Sequence, residues 1–428
     1  MNRSWLAGWL PPGRSSRRFL FAAFVDSLGT GLFLTVSALF FVRVLGMSTT
    51  QTGIALSIAG LAGLLFSVPL GRLADRVGGH RMLTVLYVCR GCGFLAYLFA
   101  GNVTTVMVVA CLLGIGERSS GPVVQTVVGV LEKGEWRVRT MAAMNALRNV
   151  GFAIAAALAT IVMAAGSAAA FRVLVAANAA SFFAAAALIT RTGSASRPGG
   201  SKAVETRRVR VHDPRYLLLT AFNGVLYLHT VVLTVGLPLW IATRTQAPTA
   251  LIGAVVVLNT VLAIPLGLRL SRGASGIRAA AARQRWAGCS LAGCCALVAM
   301  TGALGALPAC ILLLTAAVAL TLGEIWQSLG AWGLSYALSP ESQRSYYLSV
   351  YSLGDTGAAI AGPALLTVGV LGMGGLGWLV LAGAFAGAGL SVHRIARRAA
   401  DGVESASRPK LAGRSRTDLT APATEING

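Results

Sequence analysis

The sequence predicts an all-α integral membrane protein of twelve transmembrane helices arranged as two pseudo-symmetric six-helix bundles. Three observations predict it. Of the 428 residues 55% are hydrophobic and only 12% charged, with a mean hydropathy of +0.72. A water-soluble chain of that length carries roughly a quarter charged residues, so lipid is the expected solvent. Apolar runs of membrane length recur along the chain, and its second half echoes its first.

A helix needs about 20 mostly apolar residues to cross the hydrocarbon core. That ruler marks spans at 19–42, 52–71, 82–100, 104–129, 141–164, 171–190, 216–241, 251–269, 286–304, 307–332, 346–370 and 374–393. The run from Phe19 to Val42 follows the Arg-rich start of a signal peptide, but it carries Asp26 and lacks a small-residue cleavage site. It is read as a retained first helix.

The spans divide the chain into a cytoplasmic N-terminal tail (1–18), an N-terminal bundle (19–190), a linker (191–215), a C-terminal bundle (216–393) and a disordered cytoplasmic tail (394–428). The linker is rich in Gly, Ser and Pro and holds Arg207, Arg208 and Arg210, a composition suited to a flexible cytoplasmic connection that touches anionic lipid.

Net charge is +22, from 36 Lys plus Arg against 14 Asp plus Glu. A nucleic-acid-binding protein would gather such an excess on one polar face; here the cations sit between apolar runs, which excludes that class. Arg72, Arg76, Arg81, Lys133, Arg137, Arg139, Arg269, Arg272, Arg278, Arg283 and Arg285 fall in alternate connections, while the other connections hold only Arg43, Arg172 and Arg244. The positive-inside rule then places both termini in the cytoplasm of a multi-pass cell-membrane protein, which demands an even number of spans.

All seven cysteines lie inside or beside apolar segments and read as small hydrophobes. Cys89 and Cys92 form a C-x-x-C without a second ligand pair, so no metal, redox group or other cofactor is expected. No G-x-x-x-x-G-K-[ST] occurs, and none of the three lysines (Lys133, Lys202, Lys410) follows a glycine, which disfavours an ATP-driven pump. Nothing has the arrangement of a hydrolase, so an enzyme is not expected.

The internal echo is specific. Leu113-Gly114-Ile115-Gly116-Glu117 in the fourth span matches Leu320-Thr321-Leu322-Gly323-Glu324 in the tenth, and Arg148 to Ile154 in the fifth matches Gly354 to Ile360 in the eleventh. Between the second and third spans stands Gly71-Arg72-Leu73-Ala74-Asp75-Arg76-Val77-Gly78-Gly79-His80-Arg81. This loop resembles the signature G-x-L-a-D-r-x-G-r-r of the major facilitator superfamily, with His80 where a basic residue is usual. The corresponding loop of the second half, Gly267 to Gly273, keeps arginines and lacks the aspartate. The resemblance implies a secondary transporter whose first, fourth, seventh and tenth spans line a central cavity. It also implies a gating loop built on Gly71, Asp75, Arg76, Gly78 and Arg81. Gly71 permits close helix approach, and Asp75 can sit at the start of a neighbouring helix or pair with an arginine, holding the cytoplasmic gate shut. Fifth-span Gly151 to Gly166 has no proline, so the Gly-Pro motif of the family's drug/proton antiporters is missing. Abundant Ala, Gly and Arg with few lysines suggests a high-GC bacterial genome, where such carriers often act in drug efflux.

An ionised side chain at membrane depth is costly and normally faces a watery cavity or a partner. The candidates are therefore Asp26, Glu117, Glu324 and Asp355 among acids, Arg118 and Arg148 among bases, His229, and the amides Asn223, Asn259 and Gln327. Desolvation favours the neutral form of a carboxylate, so an embedded acid can take a proton from one side and release it to the other. Glu117 and Arg118 point about 100° apart on a helix, so one is expected to pair away from the cavity. For Arg118 and Arg148 a buried salt bridge competes with a transport role, and Arg90 in the third span is expected to be structural. Glu324 and Gln327, three residues apart, are expected to share a face suited to a polar substrate. Asn223 and Asn259 suit helix-to-helix hydrogen bonds. Pro238, Pro265 and Pro363 are expected to kink their helices, and Gly383-x-x-x-Gly387 to pack closely.

The expected function is secondary active transport of a small organic molecule by alternating access, proton-coupled and outward, by a monomer. Metabolite import or facilitated diffusion is the alternative within the same fold, and a non-transporting membrane sensor the alternative outside it.

Overall fold

The computed structural model describes residues 11–164, 168–192, 214–273 and 276–407. Eleven helices among them are long and apolar enough to cross a membrane, and Arg14–Leu39 completes twelve. In chain order they are α1 (Arg14–Leu39), α2 (Thr49–Val77), α3 (Gly79–Leu98), α4 (Val103–Leu131), α5 (Glu135–Ala164) and α6 (Ala168–Thr190). The second half holds α7 (Pro214–Arg244), α8 (Ala250–Leu270), α9 (Ile277–Met300), α10 (Ala306–Ala337), α11 (Arg344–Ala364) and α12 (Gly375–Ser407).

Local chemistry sets the ends. Ser48 and Gln51 form a reciprocal capping box at the start of α2, and the Asn102 side chain accepts the Thr105 amide at the start of α4. Gly78 joins α2 to α3 at φ +96°, a conformation L side chains rarely adopt. Two π-helical stretches interrupt the second half, Val232–Gly236 inside α7 just before Pro238, and Leu365–Val370 after Pro363 at the end of α11. Two of the three expected proline sites, Pro238 and Pro363, thus stand beside local irregularities that release backbone hydrogen bonds. Pro265 lies inside α8.

Apolar side chains form two separate large cores. One gathers Phe19, Leu83, Phe94, Val123, Val175 and Phe182 from α1–α6, the other Leu226, Trp240, Leu291, Leu313, Trp378 and Phe385 from α7–α12. Large apolar side chains also cover the outside, with Ile161 69%, Leu307 72% and Val368 79% exposed. A water-soluble monomer rarely shows apolar surface on that scale; a bilayer accepts it without cost.

The two halves use glycine alike. A Cβ at Gly116 of α4 would stand 2.9 Å from the Cγ of Arg90 on α3, and one at Gly323 of α10 would stand 2.6 Å from Leu291 Cδ2 on α9. Gly151 of α5 lies against Ser27 of α1, and Gly354 of α11 against Gly224 of α7, whereas Gly357, the match of Gly151, meets open space. The match of the fourth and tenth spans therefore falls at equivalent helix contacts, and that of the fifth and eleventh does not.

Three expectations need correction. The last helix runs on to Ser407, so 394–407 is helical where a disordered tail was expected. Val392, Ala396 and Ala400 continue a buried stripe facing Ala280 and Ala281 of α9, and Arg278 donates to Asp401 at 3.0 Å. The first helix likewise begins inside the expected tail: Ser15 donates to the Thr192 carbonyl at 2.7 Å and Arg18 to that of Arg191 at 3.0 Å, tying α1 to the end of α6. Gly383 and Gly387 face open space; the close contact of α12 is instead Gly389 on Gly288 of α9, 2.9 Å from a built Cβ to Cα. The greater part of the expected linker (193–213) and the last 21 residues (408–428) lie outside the described residues.

Candidate functional site

The signature loop forms a contact between the halves. Asp75, near the end of α2, accepts the backbone N–H of Ser345 at 2.8 Å through Oδ1 and that of Tyr346 at 2.9 Å through Oδ2. Its carboxylate therefore caps the first turn of α11, where unpaired amides and the helix dipole favour negative charge. A Cβ at Gly71 would stand 2.8 Å from the Ser345 carbonyl, so only glycine brings α2 so near α11. Arg72 donates to the Tyr346 hydroxyl at 2.9 Å with its guanidinium 4.4 Å from that ring. Arg76 and Arg81 stay exposed.

Further contacts close the same end. Gln125 of α4 donates to Ser335 Oγ at 2.9 Å and to the Trp332 carbonyl at 3.2 Å, and the Thr126 and Ser345 hydroxyls are 3.0 Å apart. Tyr336 of α10 lies against Gly129 of α4, flanked by Arg137 of α5 at 3.7 Å and Arg344 at 4.1 Å from its ring. Val138 and Ala142 of α5 pack on Ile325 and Leu329 of α10. The matching loop of the second half has no aspartate; Arg283 holds it within its own half by donating to the carbonyls of Leu270 and Arg272.

Asp75→Asn keeps one acceptor for the two amides and loses the charge. The cap is then weakened by about 1–2 kcal/mol, and the sealed end should open several-fold more often. Cysteine-accessibility labelling at Ser345→Cys measures this, and equal labelling rates with and without the substitution count against a gating role for Asp75.

Toward the centre, the predicted charges converge from both halves. Asp26 of α1 receives the Thr30 hydroxyl at 3.4 Å and the Tyr87 hydroxyl at 3.5 Å; Arg90, Arg148 and Glu117 are its charged neighbours, Arg90 the strongest. From the other half, Asp355 accepts Asn223 Nδ2 at 2.7 Å, and Asn223 in turn accepts Gln327 Nε2 at 2.9 Å. Arg118 of the first half is a charged neighbour of Asp355, and Asp355, Arg148 and Arg118 are the charged neighbours of Tyr227.

Glu324 forms a separate group. It accepts Asn259 Nδ2 at 2.9 Å, the same nitrogen approaching Thr321 Oγ1 at 3.1 Å, and buried His229 is its ionisable neighbour. His229 Nδ1 lies 2.9 Å from the Leu226 carbonyl. Glu324 borders a small cleft with Asn145, Ala263, Gly267 and Ser328.

Against expectation, Glu324 and Gln327 bond to different helices: Glu324 accepts from Asn259 of α8, while buried Gln327 donates to Asn223 of α7. Three residues advance a helix by 300°, and the 60° left over suffices to separate partners in a crowded bundle. Glu117 is a charged neighbour of Asp26 and Arg118 one of Asp355, and Arg118 lays its stem over Gly63 of α2, 2.6 Å from a built Cβ to Cγ. Of the two readings of Arg118 and Arg148, no buried salt bridge is present: among the described residues the ion pairs within 4.0 Å are Arg139–Glu135 and Arg278–Asp401. Arg90 proves to be Asp26's neighbour, stacked 4.2 Å from the Phe182 ring. Sequence reasoning missed Arg72, Tyr87, Gln125 and Tyr336; a Gln and a Tyr near helix ends carry no signal until their partners in the other half are known.

The sequence profile of the Major Facilitator Superfamily matches residues 19–363. The chain belongs to that superfamily. It is a membrane protein of twelve helices in two bundles. Among curated relatives it is 28% identical over 141 residues to the inner membrane transport protein YajR of Escherichia coli (strain K12), covering 32% of this chain and 29% of that protein. It is 23% identical over 150 residues to the uncharacterized MFS-type transporter YdeE of the same organism, covering 35% and 38%. These matches span well under half of either relative. A bacterial homologue of the iron transporter ferroportin, solved in an outward-facing state, shares the fold at TM-score 0.68 and 18% identity over 91% of this chain and 100% of that one. The proton:xylose symporter XylE does so at 0.62 and 13%, over 88% and 94%.

Proposed function

We propose that this transporter is a proton-coupled carrier that moves a small organic molecule outward by rocking its two halves about the central charged cavity. One observation carries the reading: four carboxylates, Asp26, Glu117, Asp355 and Glu324, stand at membrane depth with no ion pair within 4.0 Å among the described residues. Such groups can exchange protons with a cavity at little structural cost. With both termini cytoplasmic, as the arginine distribution indicates, the end sealed by Asp75, Arg72 and Tyr336 is the cytoplasmic one and the conformation is outward-facing. Proton binding then biases the two states by differential affinity.

The test is flux in proteoliposomes under an imposed pH gradient, with Asp26→Asn, Glu117→Gln and Glu324→Gln made singly. At least one substitution should reduce gradient-driven flux by tenfold or more while leaving counterflow without a gradient intact. Unchanged driven flux in all three removes proton coupling through these groups. Comparing metabolite export and drug susceptibility in a strain with and without the protein supplies the solute.

A further inference from the structure

The seam between α5 of the first half and α8 of the second holds two clefts in line. The first opens at the sealed end and is lined by Arg139, Leu268, Ser271 and Arg272. The second lies deeper, with Ala142 and Asn145 of α5, Ala263 and Gly267 of α8, and Glu324 and Ser328 of α10 around it. Low numbers on α5 meet high numbers on α8, so the two helices run antiparallel. Arg139, Ala142 and Asn145, at three-residue steps, thus pair with Ser271, Gly267 and Ala263, at four-residue steps, each set on one face of its helix. The clefts are consecutive along one track that ends at the Glu324 carboxyl group.

The deeper cleft has the size and the chemistry for one water. Its cavity of about 20 Å³ is near the least that holds a water, which also needs two to four polar partners. Three are present. Asn259 occupies Oε2 of Glu324 at 2.9 Å, and Oε1 carries no hydrogen bond among the described residues. Nor does the Asn145 amide, and the Ser328 hydroxyl has only the Gln327 amide oxygen at 3.4 Å. The other groups turned to this part of α10 are His229 of α7, the ionisable neighbour of Glu324, and the uncharged Gln284 and Ser290 of α9. Counted from the matched glycines Gly71 and Gly267, Ser271 stands where the other loop has Asp75, and its hydroxyl turns back to the Leu268 carbonyl at 2.8 Å. This side of the seal therefore lacks the carboxylate cap that ties α2 to α11.

We propose that this seam is the route by which Glu324 gives up its proton to the cytoplasm, through a water that Asn145 and Ser328 hold against the carboxyl group. The proposal deepens the carrier reading above and rests on it. The O–H bond of the Glu324 acid breaks as its proton passes to the water, and the carboxylate left behind keeps the Asn259 N–H. The proton leaves as hydronium when the mouth between Arg139 and Ser271 parts and joins the two clefts, past the small residues Ala142 and Gly267. Positive charge from Arg139 and Arg272 at the mouth favours the departure of a proton over its return. Asn145 acts through the water and is a positioning residue.

A pH jump on the full-length protein in detergent tests the route, with Glu324 followed by infrared spectroscopy as the carboxyl band that Glu324→Gln removes. Asn145→Leu and Gly267→Leu should each slow the relaxation of that band about tenfold or more. Asn145→Ser, which keeps a polar partner for the water, should slow it less than Asn145→Leu. A Cβ at Gly267 meets nothing within 4 Å, so leucine there enters the track without a clash; Gly253→Leu, equally open on the same helix, should relax as the parent does. Unchanged melting temperatures show that the leucines block the track and leave the fold intact. The proposal is overturned if both leucine variants in the track relax at the parent rate, or if Gly253→Leu slows the band as much as they do. It is overturned equally if Glu324 has no band that titrates between about pH 4 and 10. Parent-rate relaxation in both variants, with gradient-driven flux still lost in Glu324→Gln, sinks the track and leaves the carrier standing; slowed relaxation without any driven flux does the reverse.

Discussion

Replacing Gly129 with leucine is expected to shift the protein tenfold to a hundredfold away from its sealed conformation. A Cβ at this position of α4 falls on the ring of Tyr336. That ring cannot step aside, because Arg137 and Arg344 cover it at 3.7 and 4.1 Å and its hydroxyl accepts Arg344 Nη1 at 2.8 Å. Overpacking of this kind costs about 1–3 kcal/mol, and each 1.4 kcal/mol is tenfold in an equilibrium. The strain exists only while the halves are in contact, so it penalises one state and spares the other. Spin labels at the exposed positions Arg81→Cys and Arg272→Cys, one on each half, would report the separation by pulsed electron resonance. Gly121→Leu is the control, since a Cβ there meets open space on the same helix. If the distance distribution with Gly129→Leu matches that of the control, Tyr336 is not part of the seal.

The second large effect is on folding itself. Gly114→Leu should abolish recovery of monodisperse protein. A Cβ at Gly114 runs into the backbone of Ala59 on α2, and one at Gly63 stands 2.6 Å from the Gly114 carbonyl oxygen. Here helix meets helix backbone to backbone, as small residues permit in membrane bundles. No side chain is present to rotate away, so α2 and α4 must separate, at a cost above the roughly 1–3 kcal/mol of ordinary overpacking. Gly60→Leu, one turn from Gly63 and facing open space, should leave yield and melting behaviour unchanged. Size-exclusion profiles of the two variants decide the matter, and a sharp peak for Gly114→Leu at the control's yield would refute the contact.

Read from the residues, the signature loop was the most legible part of the site. Gly71 and Asp75 were expected to bring α2 close to a neighbouring helix start, and they meet Ser345 and Tyr346 of α11. The embedded charges were legible as a set, because any charge in an apolar run stands out, but their partners were not. Gln327 turned to Asn223 and Glu324 to Asn259 through a small difference in helical angle. The stem of Arg118 lies close over α2 because the residue beneath it there, Gly63, is glycine.

The sequence by itself determined the solvent, the helix count and the superfamily, since hydropathy and a loop motif are local properties that neighbours in the chain carry together. Only the tertiary structure decided which charges remain unpaired, which end is sealed, and how far α1 and α12 extend past their apolar runs. Those outcomes depend on contacts between residues up to some 270 positions apart, such as Asp75 with Ser345 and Tyr346, and packing geometry on that scale leaves no periodic trace in the chain.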